Sequence, residues 1–381
     1  EPPKDSKRFY SQKTFFGRSG RKKGKLAPPP PDARSEFLQQ IRGLCIVAVV
    51  LIHTVGMPIN DETSYLLVLM RGFINFPVAV FFFLAGFFNK SAGSYAGTER
   101  KKLFSRIIRL LVPYIFWTAF YLCAYYSLSV VAGKPFDLLR VPKAFLFGSA
   151  TAPLYFLHVL LQLTLITPIL VAIIRGESLF SKVLKWGLFG TTPLYILVRY
   201  GYDFCAGTDL PHYELPCFAW FTYYYLGLFC AQNRGLKTKT LGLFPSVLIA
   251  FLALFIAIWE GFAIYNQAGS EMFSLAASQT RLGSMLFSLA IINLILRIKD
   301  TNPKPNGVLS ALGDYSFGIY SFHMFWMIPL AFVFSRMIFT PEILPILKVI
   351  QAFICLGATF FACKFTEKKI GSKTAKILGL K

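Results

Sequence analysis

The sequence predicts an all-α membrane protein, a bundle of ten transmembrane helices with both termini cytoplasmic. Three observations carry that expectation. Hydrophobic residues make up 55% of the 381 positions and charged residues only 15%, with a mean hydropathy of +0.54, a balance that a water-soluble core does not explain. Ten stretches approach the ~20 apolar residues that a helix needs to cross a hydrocarbon layer. Lys and Arg also alternate from loop to loop: with the first tail inside, inner segments hold 31 of the 40, outer loops six, and three lie within spans. This is the Lys/Arg excess of cytoplasmic loops, and one missed helix would scramble it. The formal charge of +22 is therefore mostly topology. The basic run GRSGRKKGK reads as an anchor near anionic membrane lipids, and no nucleic-acid partner is expected.

In chain order, residues 1–36 hold PPPP at 28–31 and many charges, cannot bury a core, and form a disordered basic cytoplasmic tail. The transmembrane domain follows over 37–367, and 368–381 make a second basic tail. The expected spans lie near 38–57, 67–88, 108–131, 154–174, 183–200, 214–232, 241–262, 278–297, 315–338 and 343–363.

The first span contains IRGLCIVAVVLIH, with Arg42 and His53 eleven residues apart. That is about three turns at ~3.6 residues per turn, so both share one helix face, on the order of 16 Å apart. Ionisable groups in a bilayer are costly unless they face a polar interior, which makes the pair the leading functional candidate. The second span, NFPVAVFFFLAGFF, places Gly86 among bulky aromatics, where a missing side chain permits close helix approach or a cleft. Before the third, TERKKLFSRIIRLLVPYIFW sets Arg106 and Arg109 three apart on one helix face. Snorkelling explains such a pair; so does phosphate, which an arginine fork binds bidentately. Pro113 fits the early turns of this span.

His158 begins the fourth span in APLYFLH and reads equally as a packing residue. Between the fifth and sixth, YDFCAGTDLPHYELPC is bracketed by Cys205 and Cys217, which a disulfide would staple if that face is oxidising. His212 with Asp203, Asp209 and Glu214 reads as an ordinary acidic loop rather than a metal site. The seven cysteines show no CxxC or zinc spacing. Late in the chain, GDYSFGIYSFH carries His323 into the ninth span, with Asp314, Tyr315 and Ser316 at its inner mouth, where Ser316 or Asp314 also suits an N-cap.

These pieces stand in a familiar order. An Arg-Gly followed by His eleven residues after the Arg, a Phe-Phe-x-x-x-Gly-Phe second span, Arg-x-x-Arg with Pro-Tyr, and a late Tyr-Ser-x-x-Ile-Tyr-x-x-His together resemble the acyltransferase-3 family of integral membrane acyltransferases, over roughly residues 36–367. The segment LYFLHVLLQLTLITP, ending at Pro168, is nearer to members acting on surface polysaccharides than to those with Trp-Ser-Leu-x-x-Glu-Glu.

The resemblance implies transfer of an acyl group, commonly acetyl, from cytosolic acyl-CoA to a hydroxyl of a glycan, lipid-linked sugar or similar acceptor. It implies a multi-pass protein of a cell membrane, bacterial inner or plasma, with Arg42 and His53 as the essential pair and Arg106 with Arg109 binding acyl-CoA. His323, Tyr315, Ser316 and His158 are supporting candidates. No metal and no bound cofactor are implied. Chemically, neutral imidazole with an ordinary pKa near ~6.5 suits removal of a hydroxyl proton, so His53 is the candidate general base. The competing readings are a transporter or flippase for a polysaccharide or lipid-linked intermediate, against which no inverted repeat is evident, and a sensor or scaffold that keeps the fold without chemistry.

Overall fold

The computed structural model describes residues 33–55, 61–89, 96–133, 135, 137–233, 242–299, 306–335 and 343–381. Residues 1–32 of the expected basic tail lie outside them. The chain forms α1 (Ala33–Thr54), α2 (Asp61–Ile74), α3 (Pro77–Phe87), α4 (Ala96–Val131), α5 (Arg140–Phe147), α6 (Tyr155–Arg175), α7 (Leu179–Gly187) and α8 (Thr191–Ala206). It continues with α9 (Phe221–Gln232), α10 (Leu243–Ala268), α11 (Phe273–Ala276), α12 (Leu282–Lys299), α13 (Gly307–Asp314), α14 (Ser316–Ser335), α15 (Leu344–Ile370) and α16 (Ser372–Ile377). No strand occurs among the described residues.

Eight stretches are long and apolar enough to cross a membrane: Glu36–Thr54, Tyr65–Phe87, Arg100–Val131, Ala152–Arg175, Leu243–Gln267, Leu282–Lys299, Ser316–Phe334 and Pro345–Ile370. They coincide with eight of the ten expected spans. The remaining two are helical but interrupted. Segment 183–200 is divided between α7 and α8 by a 3₁₀ turn over Leu188–Gly190. Segment 214–232 begins with extended Pro216 and a 3₁₀ turn, leaving α9 only 12 residues, about 18 Å at 1.5 Å per residue against a ~30 Å hydrocarbon layer.

Two further expectations change. Helix α4 starts at Ala96, so Pro113 sits deep inside it rather than in its first turns; with no N–H to give, it leaves the Arg109 carbonyl without its intrahelical donor. Cys205 and Cys217 are free thiols. Cys205 is exposed near the end of α8, whereas Cys217 is half-buried and its N–H donates to Gln162 Oε1 on α6 at 3.1 Å.

Helix α1 is the most buried of the eight stretches, packed by α13, α14, α15, α3 and α2. The outer helices turn large apolar side chains outward, including Phe251, Phe255 and Trp259 on α10 and Phe361 and Phe365 on α15, as lipid-facing surfaces do. Glycines set the closest approaches. A Cβ on Gly43 would lie 2.1 Å from the Leu309 carbonyl oxygen, and one on Gly313 2.0 Å from that of Gln39, so α1 and α13 touch backbone to backbone. Gly86 and Gly227 do the same for α3 and α9, at 2.2 Å and 2.1 Å, which makes Gly86 a packing residue.

Buried charges fasten the rest. Arg199 pairs with Asp203 at 3.0 Å and Asp209 at 3.2 Å and donates to Ser278 at 2.8 Å, tying α8 and its following loop to the α11–α12 corner. Asn75, in the break between α2 and α3, donates to the Ala277 and Ser278 carbonyls at 3.1 and 3.0 Å.

Gly43→Ala should destabilise the protein by about 1–3 kcal/mol, because the contacted atoms are backbone and cannot rotate away. Gly187→Ala, where an added Cβ meets nothing within 4 Å, should be near neutral. Thermal unfolding of the two variants in one detergent checks the contrast.

Candidate active site

At one end of the bundle, hereafter the basic end, Arg42, Arg106, Arg109, Lys376 and Lys381 line a cleft of about 1170 Å³. The three arginines have distinct supports. Arg106 Nη1 donates to Asn89 Oδ1; Asn89 Nδ2 reaches the Tyr224 hydroxyl at 3.4 Å, which shares a hydrogen bond with Thr167 at 2.7 Å. The residue just past α3, backed by α9 and α6, thus fixes one guanidinium. Arg109 Nε donates to the Ser105 carbonyl at 3.3 Å. Arg42 lies over the Phe88 ring at 4.9 Å and donates to Gln39 Oε1 at 3.2 Å, while Gln39 Nε2 holds Asp314 Oδ1 at 2.9 Å.

The two lysines come from the stretch 368–381, which the sequence suggests to be a basic tail. That segment folds back onto the bundle. Gly371 turns the chain at φ 82° after α15 and Gly379 at φ 68° after α16, both in the left-handed region that glycine enters without strain. The Trp117 indole donates to the Leu378 carbonyl at 3.1 Å, and Leu380 is buried with its backbone against Gly318. Lys381 Nζ pairs with Glu367 at 2.9 Å. The Tyr315 hydroxyl donates to the same carboxylate, so Tyr315 serves as a clasp for this segment.

Deeper lies an apolar cavity of about 620 Å³. It shares Arg42, Ala85, Leu160 and Phe317 with the basic cleft, and adds Ser316 and Tyr320.

On the far side of Tyr320, His53 lines a cavity of about 900 Å³ with Arg71, Tyr155, Tyr213 and Glu214. Arg71 Nη1 donates to the Ile52 carbonyl at 3.1 Å and Nε to that of Ala277 at 3.1 Å. The first of these is a carbonyl in the last turn of α1, where donors from within the helix run out, so Arg71 caps the helix end that carries His53. The His53 and His323 rings stand 5.1 Å apart between centroids. His323 Nδ1 lies 3.0 Å from the Ile319 carbonyl and 2.8 Å from that of Tyr320. Carbonyls only accept, so the proton is assigned to Nδ1 and Nε2 remains an acceptor; that atom is buried and has no hydrogen-bond partner among the described residues.

A vestibule of about 830 Å³ continues outward, sharing Tyr155, Tyr213 and Glu214 with the His53 cavity and adding Asp209, His212 and Phe147. Burial raises the Glu214 carboxyl above its ordinary range, opposed by Arg71, and burial beside Glu214 pushes the Tyr213 phenol up to about 12. His212 stacks on Phe147 at 6.5 Å, while Asp203 and Asp209 are engaged by Arg199.

The structure therefore gathers Arg42, Arg106 and Arg109 in one cleft, sets His323 beside His53, and puts Ser316 in the passage between. It does not bring His158 to these cavities; that ring packs 6.5 Å from Tyr114. Sequence reasoning passed over Arg71, Asn89, Tyr320, Lys376 and Lys381 as site residues. Arg71 carried a usable signal, being an arginine inside an apolar span like Arg42. The lysines carried none, because a basic end-segment reads the same docked or free.

Residues 35–365 match the family described as an acyltransferase domain. No curated protein and no solved structure matches the chain. The family match takes in α1 through most of α15, and with it every lining residue of these cavities except Lys376, Gly379 and Lys381 of the returning segment. A carrier or scaffold reading thereby gives way to an enzyme: the chain belongs to the acyltransferase-3 family and is a multi-pass membrane acyltransferase.

Proposed function

We propose that this protein is an O-acyltransferase that moves an acetyl group from cytosolic acetyl-CoA to a hydroxyl of a surface polysaccharide or lipid-linked sugar, in a bacterial inner or plasma membrane. One observation carries the reading: a cleft lined by five cations leads through an apolar cavity to the level of the His53 chamber, with residues shared at each junction.

The Lys/Arg bias assigns the basic end to the cytosol, with ten passages of the chain and both termini inside. There Arg106, Arg109, Lys376 and Lys381 bind the phosphates of the donor. Arginine forks and ammonium groups suit that task, and the Asn89 support pre-orients one of them before any ligand arrives. The apolar cavity takes the pantetheine arm, with Arg42 at its mouth. The rise from Arg42 to His53, about 16 Å along α1, matches the distance the thioester must be carried inward from the phosphates.

His53 takes the proton of the acceptor hydroxyl as its oxygen attacks the thioester carbonyl. The carbon–sulfur bond breaks, an ester forms, and the proton leaves with the thiolate as free thiol. His323 packs beside the His53 ring, and its Nε2, bonded to no described residue, is left as an acceptor for a substrate hydroxyl. Tyr155, Tyr213, Glu214 and Asp209 offer the stacking surfaces and hydrogen-bond acceptors that a sugar presents itself to.

Three outcomes test this reading. His53→Ala should leave an inserted, folded protein whose transfer of labelled acetyl from acetyl-CoA to membrane glycans falls ~10² to 10⁴-fold; undiminished transfer would remove His53 from the chemistry. Arg106→Ala and Lys376→Ala should each raise the Michaelis constant for acetyl-CoA roughly 10-fold while turnover at saturation changes less, the loss expected of a charge-assisted phosphate contact. An impermeant maleimide should label Cys205 in intact cells but a Lys373→Cys variant only after permeabilisation, and the reverse pattern would invert the topology.

A further inference from the structure

We propose that Tyr320 is a movable septum, which keeps the donor passage sealed from the acceptor chamber and opens to admit the acyl group. This rests on the donor and acceptor assignment above. Among the described residues, Tyr320 is the one side chain that lines both the apolar cavity and the His53 cavity. All other walls of the two spaces differ, so the shortest route from Arg42 to His53 runs past this ring.

Its anchoring is asymmetric. The backbone is fixed in α14, and the Tyr320 carbonyl receives His323 Nδ1 at 2.8 Å. The side chain, only 4% exposed, lies against Phe156 at 5.2 Å and His323 at 6.2 Å between centroids. One polar bond locks it, from the hydroxyl to the Pro153 carbonyl at 2.6 Å. Pro153 belongs to the 3₁₀ turn Ala152–Leu154, whose Ala152 lines the acceptor chamber and the vestibule. Occupancy of the chamber by an acceptor is thereby placed next to the atom that holds the septum shut. Rotating the side chain breaks one hydrogen bond and leaves the helix untouched, whereas a barrier built from backbone would have to unfold to open.

The seal has a chemical purpose. A thioester that reaches His53 without an acceptor meets water, which the same base activates: the water oxygen bonds to the acyl carbon, the carbon–sulfur bond breaks, one water proton passes through His53 to the thiolate, and carboxylic acid and free thiol leave. The septum withholds the thioester from that reaction.

The purified full chain, given acetyl-CoA and no acceptor, should release free thiol slowly. Tyr320→Ala should release it on the order of 10-fold faster, and this leak should vanish in the Tyr320→Ala, His53→Ala double variant. Tyr320→Phe keeps the ring and loses only the Pro153 bond, so its leak should fall between the two. A second measurement needs no catalysis. In inside-out vesicles, a small impermeant thiol reagent should modify a His53→Cys variant on the order of 10-fold faster when Tyr320→Ala is also present, with modification from the opposite face unchanged.

Equal rates with and without the Tyr320 ring would overturn the septum, even if the wild-type chain transfers acetyl normally. So would a correctly inserted Tyr320→Ala variant that transfers without leaking. If the reagent result holds but no variant consumes acetyl-CoA, the septum stands and the assignment of the donor falls.

Discussion

The backbone contact between α1 and α13 through Gly43 and Gly313 decides where everything else must stand. A helix bearing an arginine and a histidine is tolerated at membrane depth only where protein, not lipid, surrounds it. The glycine pair draws α13 so close that Gln39, Asp314 and Arg42 form one polar cluster. With that end fixed, the rigid rise of α1 sets the depth of His53. Arg71 then closes the far end of the same helix by donating to the Ile52 carbonyl in its last turn. Arg42 and His53 are thus positions on a single rod, and the surrounding helices fill in the walls of the cavities they line.

The walls divide by polarity in a way that suits their ends. Cations gather at one mouth and carboxylates and tyrosines at the other, while the stretch between is lined by Phe81, Leu84, Ala85, Phe156 and Leu160. A charged group would pay heavily to enter that middle region, and an apolar arm with amides spaced along it would not. The buried Arg199 network serves a different end. It holds the loop carrying Tyr213 and Glu214 against the α11–α12 corner, with the Arg199 guanidinium 3.5 Å above the Tyr213 ring, so the acidic mouth is shaped by an ion cluster of which only Asp209 lines the vestibule.

What was legible in the sequence follows from range. The Arg42–His53 spacing and the Arg106–Arg109 pair are local, and helical geometry carries them unchanged into the structure. Apolar runs gave eight of the membrane stretches because hydropathy is additive along a chain. The two interrupted segments escaped for a local reason: Gly187 and Gly190 in one, and Pro216 in the other, break a run that averages as apolar. His323 beside His53, Asn89 beneath Arg106 and Lys376 in the basic cleft are juxtapositions across the fold, and each residue alone is ordinary. Gly86 illustrates the opposite lesson, since a glycine among aromatics suggested either a cleft or contact, and only Tyr224 on the facing helix decided it.

An acyl group delivered through a membrane faces competition that a soluble enzyme meets only at its active-site lid. On the proposed reading water competes from both mouths of the passage, and the polar walls of the His53 cavity suit it. The apolar middle lowers its concentration but cannot stop it once a thioester lies in place. A single aromatic side chain between the two chambers, fixed by one hydrogen bond to a turn that borders the acceptor space, is the least apparatus that separates arrival of the donor from exposure to solvent. That economy follows from α14, where Tyr320 and His323 are three residues apart and so share a face: the ring between the two cavities and the imidazole beside His53 are set by the same turn of helix.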